Sequence, residues 1–201
     1  GAVQLAGQTL LGNLTVTAGG AVTQTGTWDI TGMTTITAQS GGTDYDVTLG
    51  GPTDDFKGAV SITGANIEIT DVNSLILGAT AASGTLTVTA GASGGTLGTV
   101  TQSSLAAAKN VAVDETTTIT GTDITLNNVA NDFSSIGVTT TGSDVVLVDS
   151  GAIILGASTV TGTYDVTAGG AVTQSGALAI TGATTIIADS SGTKQAVTLT
   201  N

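Results

Sequence analysis

The chain has 201 residues, 40% of them hydrophobic but only 2% aromatic, with 30 glycines, one proline and a net charge of −12 from 15 acidic and 3 basic side chains. With no arginine, and only Lys57, Lys109 and Lys194 as cations, it lacks the row of positive charge that displaces phosphate counterions; nucleic acid is excluded as a partner and an anionic lipid surface disfavoured. There is no histidine for a Ser-His-Asp triad or a metal ligand, no cysteine for a disulfide or thiolate site, and no apolar run approaching the ~18 residues of a membrane span. Only 9% of residues are charged and β-branched residues abound, so the chain has too much apolar content for disorder and a strong strand preference.

In chain order, the first recurring unit is Val16 to Ala38, VTAGGAVTQTGTWDITGMTTITA, which returns at Val166 to Ala188 as VTAGGAVTQSGALAITGATTIIA, a displacement of 150 residues. A more divergent copy lies between them, with Val88–Gly91 matching Val166–Gly169 and Thr99–Gln102 matching Ala171–Gln174. Its extra residues fall in the Gly/Ser-rich stretch 91–98, predicted to bulge from one corner as an exposed loop. The following stretch, SLAAAK at 104–109, could form one helical turn.

A second landmark sets the unit boundaries. Asp54-Asp55-Phe56 recurs as Asn131-Asp132-Phe133, and the tripeptide before each landmark, Val47–Leu49 and Ile124–Leu126, appears again as Val197–Leu199. Residues 1–49 are therefore the C-terminal part of a preceding repeat, 50–126 a full repeat carrying the insertion, 127–199 a second full repeat, and 200–201 the start of another. Because the chain opens without an initiator methionine and stops in mid-pattern, it reads as an interior fragment.

Within each unit, alternating stretches such as Leu14-Thr15-Val16-Thr17, Val60-Ser61-Ile62-Thr63, Ile67-Glu68-Ile69-Thr70 and Leu86-Thr87-Val88-Thr89 come every 10 to 14 residues. Period-two alternation places Leu, Val and Ile on one face and Thr, Ser or Glu on the other. Asn-Gly and Asp-Gly hairpin signals are missing. Consecutive strands are thus expected to turn corners and stack rung upon rung. The fold class is all-β: a parallel β-helix, or β-solenoid, built from tandem repeats of about 73 to 77 residues, with a β-sandwich as the alternative. At ~20 residues per coil this gives roughly ten coils and a length of about 50 Å. The pairs Gly19-Gly20 and Gly169-Gly170 are read as corners that a Cβ would block.

The succession of NDF or DDF, an apolar-polar alternation, a D-x-x-x-LxLG step, VTAGGAVTQ and ITGxTTI resembles large exoproteins of the filamentous haemagglutinin type, exported by two-partner secretion or as autotransporter passengers. The resemblance covers essentially the whole chain. It implies a right-handed parallel β-helix forming an adhesive stalk or filament outside a Gram-negative cell. The partners it implies are adjacent repeats of the same chain and homotypic end-to-end or lateral neighbours, with an unnamed host or cell-surface ligand.

Candidate chemistry is sparse, and the chain is not expected to be an enzyme. The carboxylate pairs Asp44/Asp46, Asp54/Asp55 and Asp114/Glu115 are the material for glycoside hydrolysis, but Gly192-Thr193-Lys194-Gln195 replaces the Asp44 region in the matching copy. Asp44 and Asp46, in Gly41-Gly42-Thr43-Asp44-Tyr45-Asp46, are the candidates for calcium, the one cofactor considered, against a solvated acidic turn. Asp55, Phe56, Asp132 and Phe133 are structural landmarks, the acid or amide capping a turn and the phenylalanine plugging the core. Gln24, Gln102 and Gln174 recur at turn edges. The pairs Thr15/Thr17, Thr35/Thr37, Thr87/Thr89 and Thr118/Thr120 raise the alternative of an ice- or glycan-binding surface, although they fall at different positions within the unit.

Overall fold

Alternation dictates the local structure. In Ile67–Asp71 and Leu86–Ala90 every second residue is buried while the residues between point outward, and this pattern holds along most of the chain. The computed structural model describes residues 1–91, 97–104 and 110–200, and within them all regular structure is β-strand. Apart from two antiparallel hairpins, every pairing among the described residues is parallel. The molecule is a β-solenoid, as the repeats predict.

Two long ladders carry the stack. One runs through Val3–Leu5, Val22–Gln24, Val47–Leu49, Ile67–Asp71, Leu86–Ala90, Val111–Gly121, Asp132–Thr140, Ile153–Leu155, Val172–Gln174 and Val197–Thr198. The other runs through Leu14–Ala18, Thr34–Ser40, Val60–Gly64, Leu75–Ala82, Val100–Gln102, Ile124–Leu126, Val145–Asp149, Tyr164–Ala168 and Thr184–Ser190. Long strands carry these ladders round corners: Leu75–Ala82 pairs with Val100–Gln102 through its first three residues and with Val111–Val113 through its last three, and Asp132–Thr140 pairs with both Ile153–Leu155 and Ser158–Val160. With Gln8–Leu10, Trp28–Ile30 and Asp55–Phe56 stacked between the ladders, each turn has three faces. Nine successive steps along the first ladder make about nine turns, one fewer than expected from ~20 residues per coil. The difference comes from wide turns: Leu86 pairs with Thr117 across the insertion, and Val22 with Val47 across a hairpin.

The ladders show a relation hidden in the sequence. Leu14–Ala18 stacks through Thr34–Thr37 and Ile62–Gly64 onto Thr80–Ala82 and Val111–Val113, whereas Tyr164–Ala168, its match at the 150-residue displacement, stacks on Val145–Asp149, Ile124–Leu126, Val100–Gln102 and Leu75–Leu77, a different face. Their counterpart in the middle copy, Leu86–Ala90, lies on the remaining face, between Ile67–Asp71 and Thr117–Thr120. The same rotation through three faces holds for Val22–Gln24, Val100–Gln102 and Val172–Gln174. One sequence repeat is therefore about three and a third turns, and successive repeats present the same motif on successive faces.

The core is a narrow column of Val, Ile, Leu and Ala that admits a few large rings. Trp28 is fully buried and meets Phe56 edge-to-face at 6.1 Å between centroids. Phe133 and Tyr164 are buried in the same way. Turn-to-turn contact is close enough to require glycine at the paired positions: a Cβ on Gly170 would lie 2.7 Å from the Ala152 nitrogen, and one on Gly20 2.6 Å from that of Ala2. These glycines are set by the neighbouring turn, not by an unusual φ.

Two hairpins depart from the expectation that the chain only turns corners. Thr34–Ser40 folds back on Thr43–Asp44 through Gly41 and Gly42, with φ of 57° and 81°. Thr184–Ser190 folds back on Thr193–Lys194 through Ser191 and Gly192, with φ of 50° and 86°. Both central residues have positive φ, the geometry in which Gly-Gly serves as well as Asn-Gly. The predicted bulge at 91–98 and helical turn at 104–109 lie largely outside the described residues. Their described flanks are tied down: the Gly98 N–H donates to Ala90 O at 3.1 Å, and the Thr122 N–H to Gly98 O at 2.6 Å.

Candidate functional site

The polar residues with the most organised surroundings sit at the landmark corners. Asp55–Phe56 stacks on Trp28–Ile30, and Asp132–Phe133 on Ala112–Val113. The phenylalanine of each pair points into the core and is buried, while the aspartate points outward. Outside, Asp55 pairs with Lys57 at 2.8 Å, and Lys57 also pairs with Asp29 one turn below. The two carboxylates raise the lysine's pKa above its ordinary value. Phe56 and Phe133 are thus part of the core column at these corners, while the turn below is capped by Asp54 and Asn131 instead of Asp55 and Asp132.

The residue before each pair closes the corner from inside. Asp54 and Asn131 are fully buried. Asp54 accepts from the Trp28 N–H at 2.9 Å and from Gln24 Nε2 at 2.5 Å. Asn131 accepts from the Val111 N–H at 2.9 Å and from Gln102 Nε2 at 2.6 Å, and donates to Gln102 Oε1 at 3.0 Å and to Leu126 O at 3.2 Å. The recurrent glutamines are thus inward partners of the landmark, where sequence reasoning left them at turn edges.

A second pair of buried acids closes the corner from above. Asp71 accepts from the Phe56 N–H at 2.8 Å and the Asn73 N–H at 2.7 Å. Asp149 accepts from the Phe133 N–H at 2.6 Å and the Gly151 N–H at 2.9 Å. These are the aspartates of the D-x-x-x-LxLG step, to which no role was given. Burial pushes the Asp71 carboxyl up to about 6, against the opposing pull of its two N–H donors. Burial also raises Asp54 and Asp149 above the usual carboxylate range.

The calcium candidates are placed differently. Asp44 lies on a hairpin arm and accepts from Gln39 Nε2 at 2.7 Å. In the matching copy the same positions hold Asp189 and Lys194, an ion pair at 2.8 Å, which makes Asp44 one member of a cross-arm pair. Asp46 accepts from the Asn66 N–H at 3.1 Å and Nδ2 at 3.0 Å on the next turn. Among the described residues no group of three or more acidic side chains is placed to hold a metal ion.

The threonine pairs stack more regularly than their sequence positions suggest. Thr15/Thr17 lies under Thr35/Thr37, and Thr87/Thr89 under Thr118/Thr120. Thr70, Thr89, Thr120, Thr139 and Thr159 form one outward row on consecutive turns. The companion row is interrupted by Glu68 below Thr87 and by Gly137 above Thr118.

The fold and these corners define a tandem-repeat β-solenoid whose recurrent polar residues lock one turn to the next. The chain matches the family described as repeats of unknown function (DUF5649) over residues 1–63, 64–140 and 142–201, and it belongs to that family. No curated protein and no solved structure matches it.

Proposed function

We propose that the chain is a non-catalytic length of shaft in a large extracellular bacterial protein of the filamentous haemagglutinin type, serving as an adhesive stalk or filament segment. The observation that carries this reading is the continuity of the two ladders through all three repeat copies, each locked to its neighbours at the landmark corners. Such a stack has a length set by repeat number and a stability built from neighbour contacts, the physical requirements of a spacer. Its outward face of threonine and its net charge of −12 keep neighbouring shafts apart. The absence of histidine and arginine leaves little material for catalysis.

Two measurements test the reading. Antibodies raised against the chain are expected to label intact producing cells; labelling only after permeabilisation would overturn the extracellular assignment. At a strand spacing of ~4.8 Å, deleting two copies from the parent protein is expected to shorten the fibre in electron micrographs by about 32 Å. An unchanged length would remove the spacer role.

A further inference from the structure

The last coil shows a contrast with its own internal copy. Trp28, Ile30, Ile36, Val47 and Leu49 are all at or below 1% exposure. Their counterparts at the displacement of 150, Leu178, Ile180, Ile186, Val197 and Leu199, are partly or fully exposed, with Val197 at 46% and Leu199 at 45%. The internal copy shows what covers this face. Phe56 sits on Ile30, Val60 to Thr63 on Thr34 to Thr37, and Ile67 to Ile69 on Val47 to Leu49. The middle copy is covered alike, with Phe133 on Val113, Ile136 on Thr117, and Val145 to Leu147 on Ile124 to Leu126. In both cases the covering turn begins with an acid or amide that accepts the N–H of the first buried residue below, Trp28 or Val111.

We infer that the face formed by Leu178–Ile180, Thr184–Ser190 and Val197–Thr198 is a docking surface for a landmark turn, a coil of the chemistry of residues 50–73 supplied by a further repeat copy stacked on the axis. Its Asp or Asn accepts from the Leu178 N–H, its phenylalanine covers Ile180, and its two alternating strands cover Thr184–Ser190 and Val197–Thr198. This specificity separates it from the simplest homotypic contact, in which a second molecule stacks its first coil on this face. Val3–Leu5 and Leu14–Ala18 match Ile153–Leu155 and Tyr164–Ala168, strands that rest on a landmark turn, Asp132–Thr140 and Val145–Asp149. Head-to-tail stacking of two molecules is thus one turn short of the continuous solenoid, with the missing turn being the landmark. The inference rests on the fold alone and is independent of where the fibre is displayed.

The test extends the full chain after Leu199 with residues 50–73, and in a parallel variant with residues 1–21. The landmark extension is expected to slow amide exchange at Leu178 and Val197 at least tenfold and to raise the unfolding temperature; the 1–21 extension does neither. Replacing the added copy of Asp54 by Asn retains the protection, as Asn131 does in the middle repeat, whereas replacing it by Ala reduces it. Equal protection from both extensions, or none from the landmark extension while its unfolding remains cooperative, overturns the inference. Self-association of the unextended chain with protection at the same amides would assign the face to a second copy instead.

Discussion

At Asp54 and Asn131 the protein has two solutions to one corner. Both bond the N–H below and a glutamine, but only asparagine returns a donor to that glutamine: Asn131 Nδ2 reaches Gln102 Oε1, whereas Gln24 Oε1 is buried without a partner. An Asp54→Asn variant is therefore expected to gain stability at pH 7, by about 1 to 2 kcal/mol, since it removes a buried carboxylate and satisfies a buried acceptor. A lower denaturation midpoint for the variant would show that the charge itself holds the corner. Thr117 presents a simpler case. Its hydroxyl is buried with no hydrogen-bond partner, so Thr117→Val is expected to stabilise the protein by about 1 kcal/mol, read as a higher midpoint in urea.

At the scale of the turn, stability depends on how closely rungs approach. Gly170→Ala would force a Cβ to 2.7 Å from the Ala152 nitrogen, and is expected to cost about 1 to 3 kcal/mol through overpacking. The variant should unfold at a lower temperature than Gly192→Ala, whose site is an open hairpin tip strained only by its φ of 86°. Much of this level was legible in the sequence. Alternation in Val60–Gly64 or Leu86–Ala90 identifies the buried face, and the repeats identify stacking. The buried acids escaped notice because an aspartate at a strand end reads as surface. Parity would have found them: Asp71 shares the inward face of Ile67 and Ile69, and Asp149 that of Val145 and Leu147. The hairpin at Gly41-Gly42 was missed because attention fell on Asn-Gly and Asp-Gly, although any pair tolerating positive φ suffices. The third-of-a-turn relation between repeats could not be read at all, because residues per turn vary with each hairpin and insertion while the sequence period stays nearly constant.

Across the whole molecule, the buried acids give stability a definite pH dependence. The Asp71 carboxyl has a folded-state pKa raised from 3.8 to about 6. As pH rises, the unfolded chain releases this proton first, so its contribution to stability is full below pH 3.8 and is lost as pH passes through about 6. The loss from this group alone is on the order of 3 kcal/mol, and Asp54 and Asp149 shift in the same direction. The net charge of −12 adds repulsion that also eases on acidification. The denaturation midpoint is therefore expected to rise between pH 7 and pH 5, and to rise less in Asp71→Asn. A midpoint that falls over this interval would contradict the burial of these carboxylates.

The third of a turn left over in each repeat also makes copy number a matter of remainder. Gaining or losing a single copy through recombination between repeats would lengthen or shorten the fibre by about three and a third turns and carry everything beyond that point round to the next face. A domain carried at the far end would then face another side of the shaft, apart from the shaft's own twist. Only gaining or losing three copies would change the reach alone. A population varying in repeat number would thus display its distal surface in three orientations, sorted by the remainder of the count on division by three, without any change in the residues of that surface.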